Sequence, residues 1–342
     1  MTGRTLLDLP PQRLVDGERF AAGRFRYGVP DPNLDAPAGR LKQWHYVAWT
    51  TPEWMLVTAV VDVGYLGNLF GYFLEFSDPQ RIWQVEALSP LARAVSVALS
   101  SLAGTTRWHT PTESVEITGE SGVDGAGHWH VQLDLPLQSG GEIRRLQADF
   151  TVQGGEALAL AWPLLGRHRV YTHKEAAQVA QGTVTIGEKT WKASGLATLD
   201  WTRGYHLHRT EWLWASLAAQ LPGGDTVGLN LSALVYDDQR GASQENALWW
   251  QGHVWPLAGV RFELPLEPEC EPWHIVSQQP GELDLRFEPW GARRQNLNLL
   301  AIVSRYVQPY GRFFGTLRPP GSDAVLTLAG AVGVTEQHLA RW

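Results

Sequence analysis

Apolar and polar residues alternate along most of this chain. A period of two suits a strand with one buried face and does not suit a helix. The alternation is cleanest at 129–135 (WHVQLDL), after the glycine-rich turn SGVDGAG, and in the paired runs 42–50 and 55–63 around Thr51-Pro52-Glu53. Further runs at 144–152, 158–162, 181–186, 195–201, 210–218, 226–236, 247–254, 260–264, 284–289, 299–307, 312–317 and 324–328 read as strands. So many short strands, with so few helical windows between them, exclude a parallel α/β sheet. The 35 glycines and 21 prolines are spread as punctuation, which weighs against long helices and solenoids.

Two windows depart from this pattern. At 88–102, Leu88, Leu91, Val95, Leu99 and Leu102 recur at helical spacing, and 173–179 predicts a second, shorter helix. The halves also echo one another. Trp44 and Trp49 precede long apolar strands, and Trp212 and Trp214 precede 226–236. The expected architecture is all-β, two antiparallel barrel or sandwich halves with minor helix, divided as 1–165 and 166–342.

Composition narrows the function classes. With 44% hydrophobic and 18% charged residues the chain is globular. Its net charge of −7, without a basic block, excludes a nucleic-acid partner held by phosphate contacts. The lone Cys270 leaves no partner for an internal disulfide, and its acidic neighbours disfavour a nucleophilic thiolate. The apolar stretch 54–76 contains Asp62, Asn68 and three glycines, so it reads as two buried strands and not as an integral membrane segment. The first seventeen residues have no apolar h-region, and a cytoplasmic chain is expected. Oligomeric state is left open.

The 17 tryptophans are the compositional outlier. Trp44, Trp49, Trp54, Trp83, Trp201 and Trp290 suit a large β interior. Trp212 and Trp214 differ, because a strand at 210–218 puts them on one face with Thr210 and Ser216. The next strand sets Asn230 and Ser232 against Val227, Leu229 and Leu231. A pocket lined by Trp212, Trp214, Asn230 and Ser232, edged by Glu245 and Asn246, suits an apolar ligand oriented by few hydrogen bonds. A sheet with a wet outer face accounts for the same alternation. Just upstream, Asp200, Arg203, His206 and Glu211 crowd together. Asp200, Glu211 and His206 are the candidate acid/base groups, with Arg203 as a binding residue, although a salt-bridged turn explains the crowding equally well. The pairs His128/His130 and His206/His208 lack a third ligand, so no metal is expected. No G-x-S-x-G, S-x-x-K, P-loop or dinucleotide fingerprint occurs, and no cofactor is expected.

In combination, Lys42-x-Trp44-x-Tyr46, Val63-Gly64-Tyr65, Thr172-x-Lys174, Asp200-x-x-Arg203-Gly204, Trp212-x-Trp214-Ala215-Ser216, Gly228-x-Asn230, Glu245-Asn246 and Gly333-x-x-Glu336-x-x-x-x-Arg341-Trp342 resemble domain-of-unknown-function family 2804. The pattern is distantly similar to tandem lipocalin-like proteins such as carotenoid hydratases, tocopherol cyclase and Diels–Alderases. That resemblance implies two lipocalin-like halves and chemistry on a hydrophobic small molecule without a cofactor, by hydration, isomerisation or cyclisation. Two other functions stay open: a non-catalytic carrier of lipid or pigment, and a glycan-binding or glycan-hydrolysing β protein.

Overall fold

A computed structural model describes residues 8–34, 40–122, 125–299 and 302–342. The glycine-rich turn after Ser121 and the tip within the expected strand 299–307 fall partly outside these residues. Among the described residues there are strands and no helix, so the all-β class holds.

The described residues form two units by their contacts, Asp8–Tyr205 and His206–Trp342. The division falls after Tyr205 and not at 165, because the long strands Arg169–Ile186 and Lys189–Gly204 belong to the first sheet.

In the first unit, eight antiparallel strands close on themselves. Lys42–Thr50, Trp54–Asp62, Leu66–Glu75 and Ile82–Pro90 pair in succession, Gly127–Ser139 pairs with Glu142–Gln153, and Arg169–Ile186 joins the latter to Lys189–Gly204. The seam is the pair Gln84–Gln138. Closure removes the free edges of a sheet. Trp49, Trp54, Phe73, Trp83, Val131, Leu135 and Phe150 fill the interior. Trp49 stacks on Phe150 with ring centroids 4.5 Å apart and meets Trp54 edge-on at 4.9 Å.

The second unit is a nine-stranded sheet, with Thr226–Ala233, Arg209–Gln220, Leu326–Arg341, Ile302–Leu317 and Leu283–Leu299 adjacent in that order. Leu213, Leu217, Leu229, Leu231, Phe287 and Phe313 form its core together with Val260, Phe262 and Ile275 from the far end of the sheet, so the sheet curls around one apolar filling. None of the 17 tryptophans is exposed in either unit.

Both expected helices are corrected. The apolar residues of 88–102 are divided between the strand Ile82–Pro90, a turn with Leu91 and Ala92 at φ 56° and 51°, the short strand Val95–Ser96 and the irregular segment that follows it with Leu99 and Leu102. Pro90 interrupts the helical hydrogen-bond ladder, and Leu91 and Leu99 end up exposed at 62% and 73%. The 173–179 window lies inside the strand Arg169–Ile186, and a β-bulge produces its false helical spacing. Glu175 pairs with Leu199 and Gln178 with Ala197, so the strand carries one extra residue, with Ala177 at φ 58°. Its buried alternation shifts accordingly: Tyr171, His173 and Glu175 face inward before the bulge, and Ala180, Val184 and Ile186 after it.

Candidate functional site

Sequence fragments far apart in the chain converge on a buried polar cluster in each unit. In the first unit, the register places Asp200 between Tyr46 and Lys174, with Thr172, Thr202 and Trp44 alongside on the same sheet face. Asp200 accepts hydrogen bonds from Trp44 Nε1 at 3.0 Å and Thr202 Oγ1 at 2.9 Å, and its Oδ2 lies 2.5 Å from Lys174 Nζ. Both partners of the ion pair are buried. Burying two opposite charges is tolerable only when each is paired and hydrogen-bonded, as Asp200 is.

Arg203 has the opposite parity on the same strand and does not join Asp200. Its Nε donates to the Leu34 carbonyl at 3.2 Å and its Nη1 to Gln43 Oε1 at 2.8 Å. Also in the first unit, His45 is fully buried with Nδ1 3.0 Å from Thr106 Oγ1. Burial drives the His45 pKa down to about 3, against the pull of the Asp200 carboxylate, so the ring is neutral near pH 7.

In the second unit the expected face forms. Trp212, Trp214 and Ser216 lie beside His338, Glu336 and Val334 on one neighbouring strand, and Trp214 and Ser216 beside Ser232 and Asn230 on the other. Trp214 Nε1 donates to Asn230 Oδ1 at 2.8 Å, and Asn230 Nδ2 donates to the Glu245 carbonyl at 2.8 Å. Ser232 N donates to Asn246 Oδ1 at 2.6 Å, while Asn246 Nδ2 donates to the Ala258 carbonyl at 2.9 Å. The six residues expected to line a pocket are therefore one region, in which the amides of Asn230 and Asn246 fasten the 243–258 segment to the sheet.

The carboxylate at this face is Glu336, which local sequence reasoning did not single out as an acid. Its Oε1 accepts from Trp212 Nε1 at 2.6 Å and its Oε2 from Gln308 Nε2 at 3.0 Å. Glu336 and Gln308 are both buried. Next along, His338 lies edge-on to Trp212 with centroids 4.2 Å apart and to Tyr306 at 5.1 Å, and its Nε2 is 2.9 Å from Ser304 Oγ. Burial first and the Arg293 guanidinium second lower its pKa to about 3.

Glu211 is placed elsewhere. It sits half-exposed in an ion pair with Arg209, on the strand face opposite Trp212. His206 is buried with its ring centroid 6.3 Å from that of Trp342, whereas His208 is exposed. His130 is engaged by Asp149 at 2.8 Å on the surface. Among the described residues no group of three His, Cys, Asp or Glu side chains is arranged to hold a metal. No helix there is long and apolar enough to cross a membrane.

The chain belongs to the family described as domain of unknown function 2804, whose model matches residues 10–342. No curated protein matches it in sequence. Solved structures similar to it include an AttH protein of Nitrosomonas europaea, 13% identical with a TM-score of 0.49 over 90% of this chain and 97% of that one. Another is kievitone hydratase of Nectria haematococca, 12% identical with a TM-score of 0.42 over 88% of each chain. A third is CghA bound to Sch210972, 11% identical with a TM-score of 0.46 over 88% of each.

Proposed function

We propose that this member of domain-of-unknown-function family 2804 binds an apolar small molecule and moves a proton on it, in a hydration, isomerisation or cyclisation carried out by its own side chains. The observation that carries this reading is the buried Glu336 carboxylate, fixed by the N–H of an indole whose strand also presents Trp214. A carboxylate whose two oxygens each accept an N–H bond is oriented, and in its ionised form it can take a proton from a substrate carbon or hydroxyl and return it at another position. The Trp212 and Trp214 rings, held at their nitrogens by Glu336 and Asn230, offer π faces to positive charge developing on that substrate. Asp200 lies apart from this site, in the first unit, where Lys174 pairs with it and it in turn orients Trp44. The neutral ring of His338 packs the far edge of Trp212 without adding a charge.

The test begins with mass spectrometry of small molecules released from the purified protein, followed by incubation of the recovered compound with wild type and with Glu336→Gln. The expected result is conversion by the wild type and a loss of about 100-fold or more in the variant, with binding retained. A compound that binds and returns unchanged from the wild type would establish a carrier. Recovery of an oligosaccharide in place of an apolar metabolite would favour the glycan reading.

A further inference from the structure

The inward face of the first unit carries a second chain of reactive groups that the reading above does not use. His173 Nδ1 lies 2.8 Å from Ser101 Oγ, and His173 Nε2 lies 2.9 Å from Glu175 Oε1. Gly155 N donates to Glu175 Oε2 at 3.0 Å. On the other side, Ser101 is hydrogen-bonded to Tyr171, whose hydroxyl accepts from Val29 N at 2.7 Å. Ser101, His173 and Glu175 are exposed by 3%, 2% and 1%.

The donors and acceptors of this chain are consistent from end to end. In the state with Glu175 ionised, the carboxylate can only accept, which places the hydrogen on His173 Nε2 and turns the Nδ1 lone pair to the serine hydroxyl. Burial raises the Glu175 pKa, and the His173 imidazole and the Gly155 N–H oppose that rise. The imidazole is clamped from two sides. Trp129 meets it edge-on at 6.0 Å, and Trp129 Nε1 donates to the Ser101 carbonyl at 3.1 Å. Gly28 packs so closely that a Cβ there would lie 2.7 Å from His173 Nδ1 and 2.8 Å from Leu102 Cγ. The serine is carried by the irregular segment between Ser96 and Gly104, in which Leu99 and Ala103 are exposed. Ser101 itself is buried, and side chains fasten the segment: Ala98 N donates to Thr106 Oγ1 at 3.1 Å and Ser121 Oγ to the Leu102 carbonyl at 3.5 Å.

From this geometry we infer that Ser101, His173 and Glu175 act as nucleophile, base and orienting carboxylate, a second reactive centre that takes esters of apolar carboxylic acids. Ser101 Oγ bonds to the ester carbonyl carbon as its proton passes to His173 Nδ1. The ester C–O bond then breaks, and the leaving alcohol takes that proton. Water adds to the acyl-serine, again through His173, releasing the acid and restoring the hydroxyl. The apolar side chains of Val29, Leu102 and Trp129 around the chain set the preference for an apolar acyl group.

The full-length protein, incubated with an alkyl fluorophosphonate, should gain the mass of one adduct that peptide mass spectrometry places on Ser101. Ser101→Ala should abolish the adduct. His173→Gln should slow its formation, and the hydrolysis of p-nitrophenyl butyrate, by about 100-fold or more. Mapping the adduct on the unmutated protein keeps the inference testable if either variant fails to fold. An unlabelled wild type, or an adduct on any other residue, overturns it and leaves the chain as a buried structural network.

Discussion

His45 in the first unit and His338 in the second are a matched pair with opposite electrical surroundings. Each ring is buried, each touches a hydroxyl, and each has its pKa pressed to about 3, chiefly by burial. Beside His45 stands the Asp200 carboxylate, which resists the shift; beside His338 stands the Arg293 guanidinium, which reinforces it. The two units thus keep a neutral imidazole next to a charge of either sign. Desolvation outweighs the neighbouring charge in both, and the charge is free to serve another purpose. In the first unit that purpose is a closed ion pair with Lys174, and in the second the guanidinium lies over the Tyr306 ring, 5.0 Å from its centroid.

The sharpest way to break this comparison is to uncouple the ion pair. Lys174→Met leaves Asp200 buried without its cation and should cost about 3–5 kcal/mol, read from the shift in urea midpoint. Asp200→Asn in the same background should recover part of that loss, because it removes the stranded charge. Acidification comes next. The unfolded chain protonates its histidines below about 6.5, whereas these two resist protonation until about 3. Their stabilising contribution is therefore complete above pH 6.5 and lost as pH falls toward 3, at up to about 1.4 kcal/mol per pH unit for each ring. Urea midpoints across that window should fall steeply for the wild type and less steeply for the double variant His45→Gln, His338→Gln.

A smaller effect is expected at Trp214→Phe, which leaves the buried Asn230 oxygen without its donor and should cost about 1–3 kcal/mol. The smallest is at Glu211→Ala. This half-exposed carboxylate should change stability by no more than about 0.5 kcal/mol, and ligand conversion not at all. A large loss of conversion in that variant would return Glu211 to the catalytic role that its crowded sequence neighbourhood suggested.

Those outcomes bear on what the sequence made legible. Alternation placed most strands and both faces of 210–218, because burying one side of a sheet leaves a trace in every second residue. It also grouped Trp212, Trp214, Asn230, Ser232, Glu245 and Asn246, which neighbouring strands and a single loop hold together. It could not choose between Glu211 and Glu336 as partner to Trp212. That pairing depends on which distant strand lies alongside, and Glu336 is 124 positions away. The Ser101–His173 contact, 72 positions apart, was hidden in the same way. The two expected helices misled for local reasons. At 88–102 a turn with two positive φ values breaks up a run of leucines, and at 173–179 one extra residue in a strand imitates a helical step. The Gly333-x-x-Glu336 fragment was the one usable signal for the second carboxylate.

That extra residue also has an evolutionary consequence. A strand is a text read two letters at a time, and the bulge at 175–178 is a frame correction within it. Upstream of the correction, one reading gives Tyr171, His173 and Glu175, and the other gives Thr172 and Lys174. Deleting Ala177 would be no local lesion. Either the hydroxyl–imidazole chain would exchange places with the ammonium that faces Asp200, or Val184 and Ile186 would turn out of the barrel. Both chemistries of the first unit are thus inherited together, and a lineage that lost this one residue would lose them both or rebuild the barrel around their absence.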